Sequence, residues 1–280
     1  MAVLTPGGTT GANLEKWART FEAATYQRMK YIPVIDEGDR PYGLLRIRKF
    51  ARVAAATLGQ SDSGTGLTYL TILGTPVTVT PVGSTVPVAW SENEDAQVDI
   101  DFNSESRGNV EQALAESTEQ TALTNISALT EALSQPDVDG PLLRRAYGQL
   151  MGNTNGLATP GGDTQVYGLF SHTQYPNLGV IPEFNNAEIR GDSENPFVKG
   201  IWTKGGGIML LMSTVVQQDG NGWHNCLFVP SAFVIAWNRR STIITDRAEL
   251  QQRVIAYNNV GSGVKNNLRG LDMRTTNNPL

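Results

Sequence analysis

The chain has 280 residues, of which 40% are hydrophobic and only 18% charged, with a formal net charge of −5. That length supports one large domain or two modest ones with a real core, and the apolar content excludes wholesale disorder. The single cysteine, Cys226, excludes an intrachain disulfide and fits a reducing compartment.

No apolar run approaches the ~20 residues that span a bilayer, and the opening Met-Ala-Val-Leu-Thr-Pro lacks the parts of a signal peptide. The expectation is a soluble intracellular product without a membrane partner. Charge is distributed unevenly. Residues 1–52 carry nine Lys/Arg against five Asp/Glu, residues 53–139 one against thirteen, and residues 140–280 twelve against nine. A basic entry segment beside an acidic middle offers complementarity between copies of one chain, or simply a solvated acidic face.

In chain order, residues 1–13 are small and Gly-rich, and Leu14 to Tyr31 carries a weak helical pattern through Leu14, Trp17 and Phe21. Tyr31 to Ile35 reads as extended chain and Asp36 to Pro41 as a turn cluster. The segment from Pro41 to Trp90 reads as two β arms. In the outgoing arm apolar and basic residues alternate, Leu45-Arg46-Ile47-Arg48, placing Arg46 and Arg48 on one strand face. The tip, Gly59 to Gly66, has the composition of a flexible loop, and the returning arm contains the β-branched run Val77-Thr78-Val79-Thr80. Pro76, Pro81 and Pro87 argue against a central strand, because each removes a ladder donor.

An acidic turn, Glu92, Glu94 and Asp95, leads into a long helix expected from Ser104 to Gln135 and stopped by Pro136. Val110, Leu114, Ala122, Ile126, Leu129 and Leu133 form its apolar stripe, with Thr118 filling the gap. A second helix opens at Asp139-Gly140-Pro141 and ends at Gly152. Strands are expected at Gln165–Phe170, Phe197–Trp202, Gly207–Val216 and Cys226–Val229. Helices are expected at Pro230–Trp237 and Asp246–Tyr257, with a final strand at Leu268–Thr275.

Signals for chemistry are weak. His224 and Cys226 lie two apart on a strand and would share a face, so a Cys/His nucleophile pair is conceivable. A small buried cysteine beside a surface histidine is the commoner arrangement. His172 has no nucleophile elbow near it. Lys204-Gly205-Gly206-Gly207 precedes an apolar strand and not a helix, so it reads as a hairpin turn and not a phosphate loop. Asp99 with Asp101, and Asp137 with Asp139, lack a third ligand at metal spacing. Arg144-Arg145 and Arg239-Arg240 are too short for a specific nucleic-acid site.

Taken in order, the pieces resemble the major capsid proteins of tailed bacteriophages, the Hong-Kong-97 fold. Ile47 to Ala55 looks like the family's outgoing loop arm, and Thr78 to Ser91 like the returning arm. Tyr167 to Tyr175 and Cys226 to Phe233 are similar to axial-domain segments, and Asp246 to Tyr257 looks like a late helix. The resemblance implies an α+β protein with an N-terminal arm (1–40), an extended β-hairpin loop (41–92) and a peripheral domain with a spine helix (93–139). An axial domain (140–258) and a closing strand returning to the peripheral domain (259–280) follow.

It further implies a non-enzymatic subunit of hexamers and pentamers in an icosahedral virion head, assembled in the host bacterial cytoplasm. The implied partners are a separate scaffolding protein, a portal, a cement protein in some members, and packaged double-stranded DNA touched nonspecifically. No cofactor or metal is implied. Arg46, Arg48, Lys49 and Arg52 would meet Glu92, Glu94 and Asp95 of a neighbour. The distal loop, Ala54 to Gly74, contains no lysine, so the covalent lysine–asparagine cross-link of some members is not expected. Other readings are an encapsulin-like compartment of the same fold, a cytosolic hydrolase using Cys226 and His224, and a phage tail or decoration protein.

Overall fold

The computed structural model describes residues 20–29, 31–34, 36–38, 45–47, 77–91, 102–154, 165–182, 204–205, 208–248 and 251–276. A first helix, α1 (residues 20–28), is followed by a 3-10 turn at Ile32–Val34 and strand β1 (Asp36–Gly38). Next come β2 (Leu45–Ile47), β3 (Val77–Val79), β4 (Val82–Ser91) and the long helix α2 (Phe102–Leu123). Strand β5 (Ala132–Gln135) precedes α3 (Gly140–Thr154), β6 (Val166–Ser171) and the short helix α4 (Tyr175–Val180). The remainder is β: β7 (Lys204–Gly205), β8 (Ile208–Ser213), β9 (Gln218–Asp219), β10 (Gly222–Phe228), β11 (Phe233–Ala248), β12 (Gln251–Val264) and β13 (Gly270–Thr275).

These strands form two main sheets. A four-stranded sheet has the order β1-β11-β12-β4, and a seven-stranded one has β5-β13-β10-β6-β8-β7 with β9 paired to β10. The sheets meet over one apolar cluster that takes Leu169, Cys226 and Phe228 from the larger sheet and Phe233, Ile235, Trp237 and Val260 from the smaller. The other face of the larger sheet packs on α3 and α4 through Leu142, Leu143, Ala146, Leu150 and Leu178. On the smaller sheet, α2 and α1 cover Ile243, Val254 and Ala256 with Val110, Leu114 and Phe21.

Chain passes from one sheet to the other between Phe228 and Phe233, through a 3-10 turn at Pro230–Ala232. The ring centroids of Tyr31, Phe228 and Phe233 lie 5.4, 5.8 and 5.5 Å apart in edge-to-face pairs, the arrangement favoured by the ring quadrupole. Residues 31–38, expected to belong to an arm, therefore enter the body twice: Tyr31 is wholly buried between the sheets, and β1 runs parallel to β11.

Several expected elements are corrected. The long helix ends at Leu123 and not at Pro136; a 3-10 turn at Ile126–Ala128 and strand β5 take over. Its apolar stripe nevertheless holds, since Val110, Leu114, Ala122, Ile126, Leu129 and Leu133 are all buried. The chain stays on one surface while its local geometry changes. The helix expected from Pro230 to Trp237 is a 3-10 turn followed by strand, and Phe233, Val234, Ile235, Ala236 and Trp237 are all buried. An apolar run packed on both sides has no period to read.

The helix expected at Asp246–Tyr257 is the end of a long hairpin, β11 against β12, in which Val254 and Ala256 point inward while Arg253 and Ile255 are exposed. Asn258 to Gly263 does not break an element but continues β12. Asp36–Gly38 is strand instead of turn, because β11 offers an edge to pair with, and Ile32–Val34 is a 3-10 turn instead of extended chain. The strands expected around 165–170, 207–216 and 226–229, the helix at 140 and the final strand are present. That final strand, β13, lies between β10 and β5 in the larger sheet. The strand expected at 197–202 falls outside the described residues.

Truncating Phe233 to alanine should cost about 3–5 kcal/mol, the range for removing a buried aromatic ring. The measurement is the urea unfolding midpoint of the protein. Leu268→Ala, at a site that is 41% exposed, should stay within about 0.5 kcal/mol.

Candidate assembly interface

The two arms of the ribbon pair where they leave the body. Leu45, Arg46 and Ile47 lie opposite Val79, Thr78 and Val77 in an antiparallel pair. Arg46 thus stands mid-strand in β2. Arg48, Lys49, Arg52, Glu92, Glu94 and Asp95 fall outside the described residues, as does the distal tip. Val79 roots the ribbon: it is buried against Val234 and Ala236 of β11. Gly261 of β12 makes room for this root, since a Cβ there would sit 2.7 Å from the Thr80 carbonyl oxygen and 2.8 Å from Val79 Cγ1.

The returning arm then joins the body. Val82 to Ser91 pair antiparallel with Val260 to Gln251 along the whole of β4, which is the edge strand of its sheet. Pro87, opposite Ile255, therefore sits where a missing N–H is tolerated.

Helix α2 is held on this sheet by polar as well as apolar contacts. Asn258 Nδ2 donates to Thr118 Oγ1 at 2.6 Å, and Thr118 Oγ1 in turn donates to the Leu114 carbonyl at 2.6 Å. Ser117 Oγ donates to Ser84 Oγ at 3.1 Å, and Asn125 donates to Ser262. The Tyr31 N–H donates to buried Glu119 at 2.6 Å. Arg28 donates to buried Glu111 at 3.1 and 3.2 Å through its Nη2 and Nε, with Arg107 3.6 Å from the same carboxylate.

Away from α2, the sheet presents an apolar row that the sequence reading missed. Ile244 is 49% exposed and Ile255, its cross-strand partner, 39%. Pro87 extends the row on β4. Beside it the Arg239 guanidinium lies 4.6 Å over the Tyr257 ring. The alternation Arg253-Val254-Ile255-Ala256-Tyr257 carried the strand signal, but the acidic opening at Asp246 resembled a helix start.

The candidate chemical groups are differently placed. Cys226 is wholly buried in the core between the sheets. Burial, with the negative charge of Asp272, pushes its thiol well up, away from a thiolate nucleophile. His224 is also buried, not at the surface, and its Nδ1 lies 2.9 Å from Asp272 Oδ2, which also accepts from Arg274 Nε at 2.8 Å. Asp219 Oδ2 lies 3.0 Å from His224 Nε2. The Asp219 carboxyl is held below its usual range, first by the Asn221 N–H and then by His224.

His172 is exposed, its ring 6.1 Å from that of Trp223. Lys204 and Gly205 pair with Met209 and Ile208 as a short hairpin. Asp139 caps α3 through the Leu142 N–H at 2.7 Å, and Asp137 accepts from Asn177 at 3.0 Å. Among the described residues no three His, Cys, Asp or Glu side chains converge as a metal set, and no helix is long and apolar enough to cross a membrane.

No family model matches the chain, and no curated protein does. Solved structures do. The capsid of cyanophage P-SCSP1u superposes with a TM-score of 0.67 at 13% identity, covering 89% of this chain and 88% of its own. The capsid of Ralstonia phage GP4 gives 0.66 at 12% identity, with 90% and 93% covered. A virus-like particle from Pyrococcus furiosus gives 0.62 at 11% identity, with 93% and 98% covered. The chain has the α+β, Hong-Kong-97-like fold of tailed-phage capsid proteins.

Two outcomes follow. Gly261→Val should force the ribbon root off β12, lowering the thermal midpoint of the protein. Iodoacetamide should leave Cys226 unlabelled in the native protein and label it fully in urea, as mass spectrometry would record.

Proposed function

We propose that this chain is the major capsid subunit of a tailed-phage head, forming hexamers and pentamers of an icosahedral shell around double-stranded DNA. The observation that carries this reading is likeness over nearly the whole chain, in both directions, to capsid structures of several phages. It is supported by the ribbon, which leaves the body at β2 and β3 on a root of its own. The protein then acts by assembly and not by catalysis, and its place is the virion.

In this reading residues 1–40 are the N-terminal arm, 41–92 the extended loop, 93–139 the peripheral domain with its spine helix, 140–258 the axial domain and 259–280 the closing strand that returns to the peripheral domain. The ribbon is a strap laid on a neighbouring copy. Arg46, Arg48, Lys49 and Arg52 on its outgoing arm would meet Glu92, Glu94 and Asp95 of that neighbour. A lysine-free distal loop leaves packing, hydrogen bonds and charge to hold it. A separate scaffolding protein would guide assembly in the host cytoplasm, a portal would occupy one vertex, and a cement protein could reinforce the exterior. DNA contact would be nonspecific and weakened by salt.

The Pyrococcus furiosus particle keeps a compartment shell as the second reading of the same fold. Negative-stain microscopy of the purified protein, alone and with candidate scaffolding partners, should show closed shells, and shells from infected cells should contain nuclease-protected DNA. A protein cargo without DNA would favour the compartment, and a chain that stays monomeric under every condition would overturn both. Deleting Ser61 to Gly66 should leave the unfolding midpoint of the body unchanged while sharply reducing shell yield. Normal shells from that deletion would remove the strap from the account.

A further inference from the structure

The β9–β10 hairpin turns on two exposed residues, Gly220 and Asn221, set between Asp219 and Gly222, which pair across the ladder. Asn221 is fastened to Asp219 at two points. Its N–H donates to Asp219 Oδ1 at 2.6 Å, and its Nδ2 donates to Asp219 Oδ2 at 3.3 Å, the local bonding that suits both residue types to turns. The residue after Asn221 has to be glycine. Gly222 has a φ of +110°, and a Cβ there would lie 2.1 Å from the Thr275 carbonyl oxygen, so the position is closed to any side chain.

The fold therefore obliges an exposed asparagine to precede a residue without a side chain. That combination carries chemistry. In most sequences the next side chain shields the backbone nitrogen that could attack the asparagine amide. Glycine supplies no shield, and its wide conformational range lets that nitrogen reach the neighbouring side chain. Only Asn155 and Asn221 precede glycine, and Asn155 lies outside the described residues.

We propose that Asn221 is a self-modification site, where the chain converts this asparagine to aspartate and isoaspartate with water as the only co-reactant. The Gly222 backbone nitrogen gives its proton to base and attacks Asn221 Cγ. A bond forms between that nitrogen and Cγ as the Cγ–Nδ2 bond breaks, and Nδ2 takes up a proton and leaves as ammonia. Water then opens the five-membered imide. Cleavage at Cγ gives aspartate, and cleavage at the main-chain carbonyl gives isoaspartate, whose backbone is longer by one carbon.

The product acts on the hairpin's own fastening. Asp219 Oδ2 faces both Asn221 Nδ2 and, at 3.0 Å, His224 Nε2. The Asn221 N–H, and then His224, hold the Asp219 carboxyl below its usual range, so it is ionised. Conversion replaces a donor amide with a second carboxylate that has no proton to offer, and the two like charges repel. Asp219 is also the guard. While both its bonds hold, the Asn221 side chain is fixed on the Asp219 side of the turn, and reaction waits for the hairpin to open.

The proposal is independent of shell formation and is tested on the full-length protein, incubated in warm, mildly alkaline buffer and sampled over time. Peptide mapping by mass spectrometry should show the peptide carrying residue 221 gaining the mass of an amide-to-acid exchange, in both aspartate and isoaspartate forms. Asn221→Gln should lose that change at this position. Asp219→Ala should convert severalfold faster than the parent. Asn221→Asp, which builds one product directly, should have a lower thermal midpoint than the parent. An amide at 221 that survives in the native protein while the urea-unfolded chain loses it would overturn the site. An unchanged rate in Asp219→Ala would overturn the guarding role, and an unchanged midpoint in Asn221→Asp the effect on the hairpin.

Discussion

The two sheets are joined by a crossing of four residues, between Phe228 at the end of β10 and Phe233 at the start of β11, and the rest of the structure depends on how that crossing is packed. A crossing so short leaves little slack, and a second of five residues returns the chain from Val264 of β12 to Gly270 of β13; the aromatic side chains packed at the first help set the orientation of one sheet on the other. Both ends of the first are phenylalanines, both wholly or almost wholly buried, and both lie edge-to-face on Tyr31. Tyr167 stacks on Phe228 from the larger sheet at 5.8 Å. Tyr31 arrives from the N-terminal part of the chain and is held from a third direction, through its N–H on Glu119 of α2. One cluster thus binds both sheets, the long helix and the entering chain, and loosening any one member loosens all.

Helix α2 faces the sheet with a mixed surface. Val110, Leu114, Ala115, Ala122 and Leu123 alternate there with Glu111, Thr118 and Glu119, all buried. A uniformly apolar stripe would let a helix slide by a turn on the β surface at little cost. The pairs Thr118–Asn258, Glu111–Arg28 and Glu119–Tyr31 remove that freedom, because a shift of one turn leaves each buried group without its partner, at a cost of about 1–3 kcal/mol apiece. Polar residues here contribute less to net stability than to a single register.

The sequence was legible where burial is one-sided and opaque where it is two-sided. The stripe from Val110 to Leu133 and the helix at Gly140 show the period of a surface facing a core. The edge nature of β4 was readable from Pro87. The run from Phe233 to Trp237 carries no period, because Phe233, Ile235 and Trp237 pack toward one cluster while Val234 and Ala236 pack toward the ribbon root. The hairpin at 246–253 was read as a helix because an acid followed by alanine and glutamate imitates a cap, whereas pairing with β4 decides the matter. The fold as a whole was recognisable from the order of its parts. The burial of His224 was not, since its partner Asp272 is far from it in sequence and only strand pairing brings them together.

The exposed row of Ile244, Ile255 and Pro87 changes how an interface between copies would work. Charges on a ribbon arm act over about 8 Å at physiological salt, which suits steering and selection of register more than holding. Holding requires apolar area removed from water, at roughly 25 cal/mol per Å². Among the described residues the four-stranded sheet offers that area on the side away from α2, with Arg239 and Tyr257 beside it as a rim. β4 forms both the return of the ribbon and one edge of this face, so in an assembly of copies strain on the ribbon would reach the surface that the same copy presents. A shell built on such a subunit would couple neighbouring contacts through a continuous strand, with the buried Val79 root and the close approach at Gly261 as the fixed end.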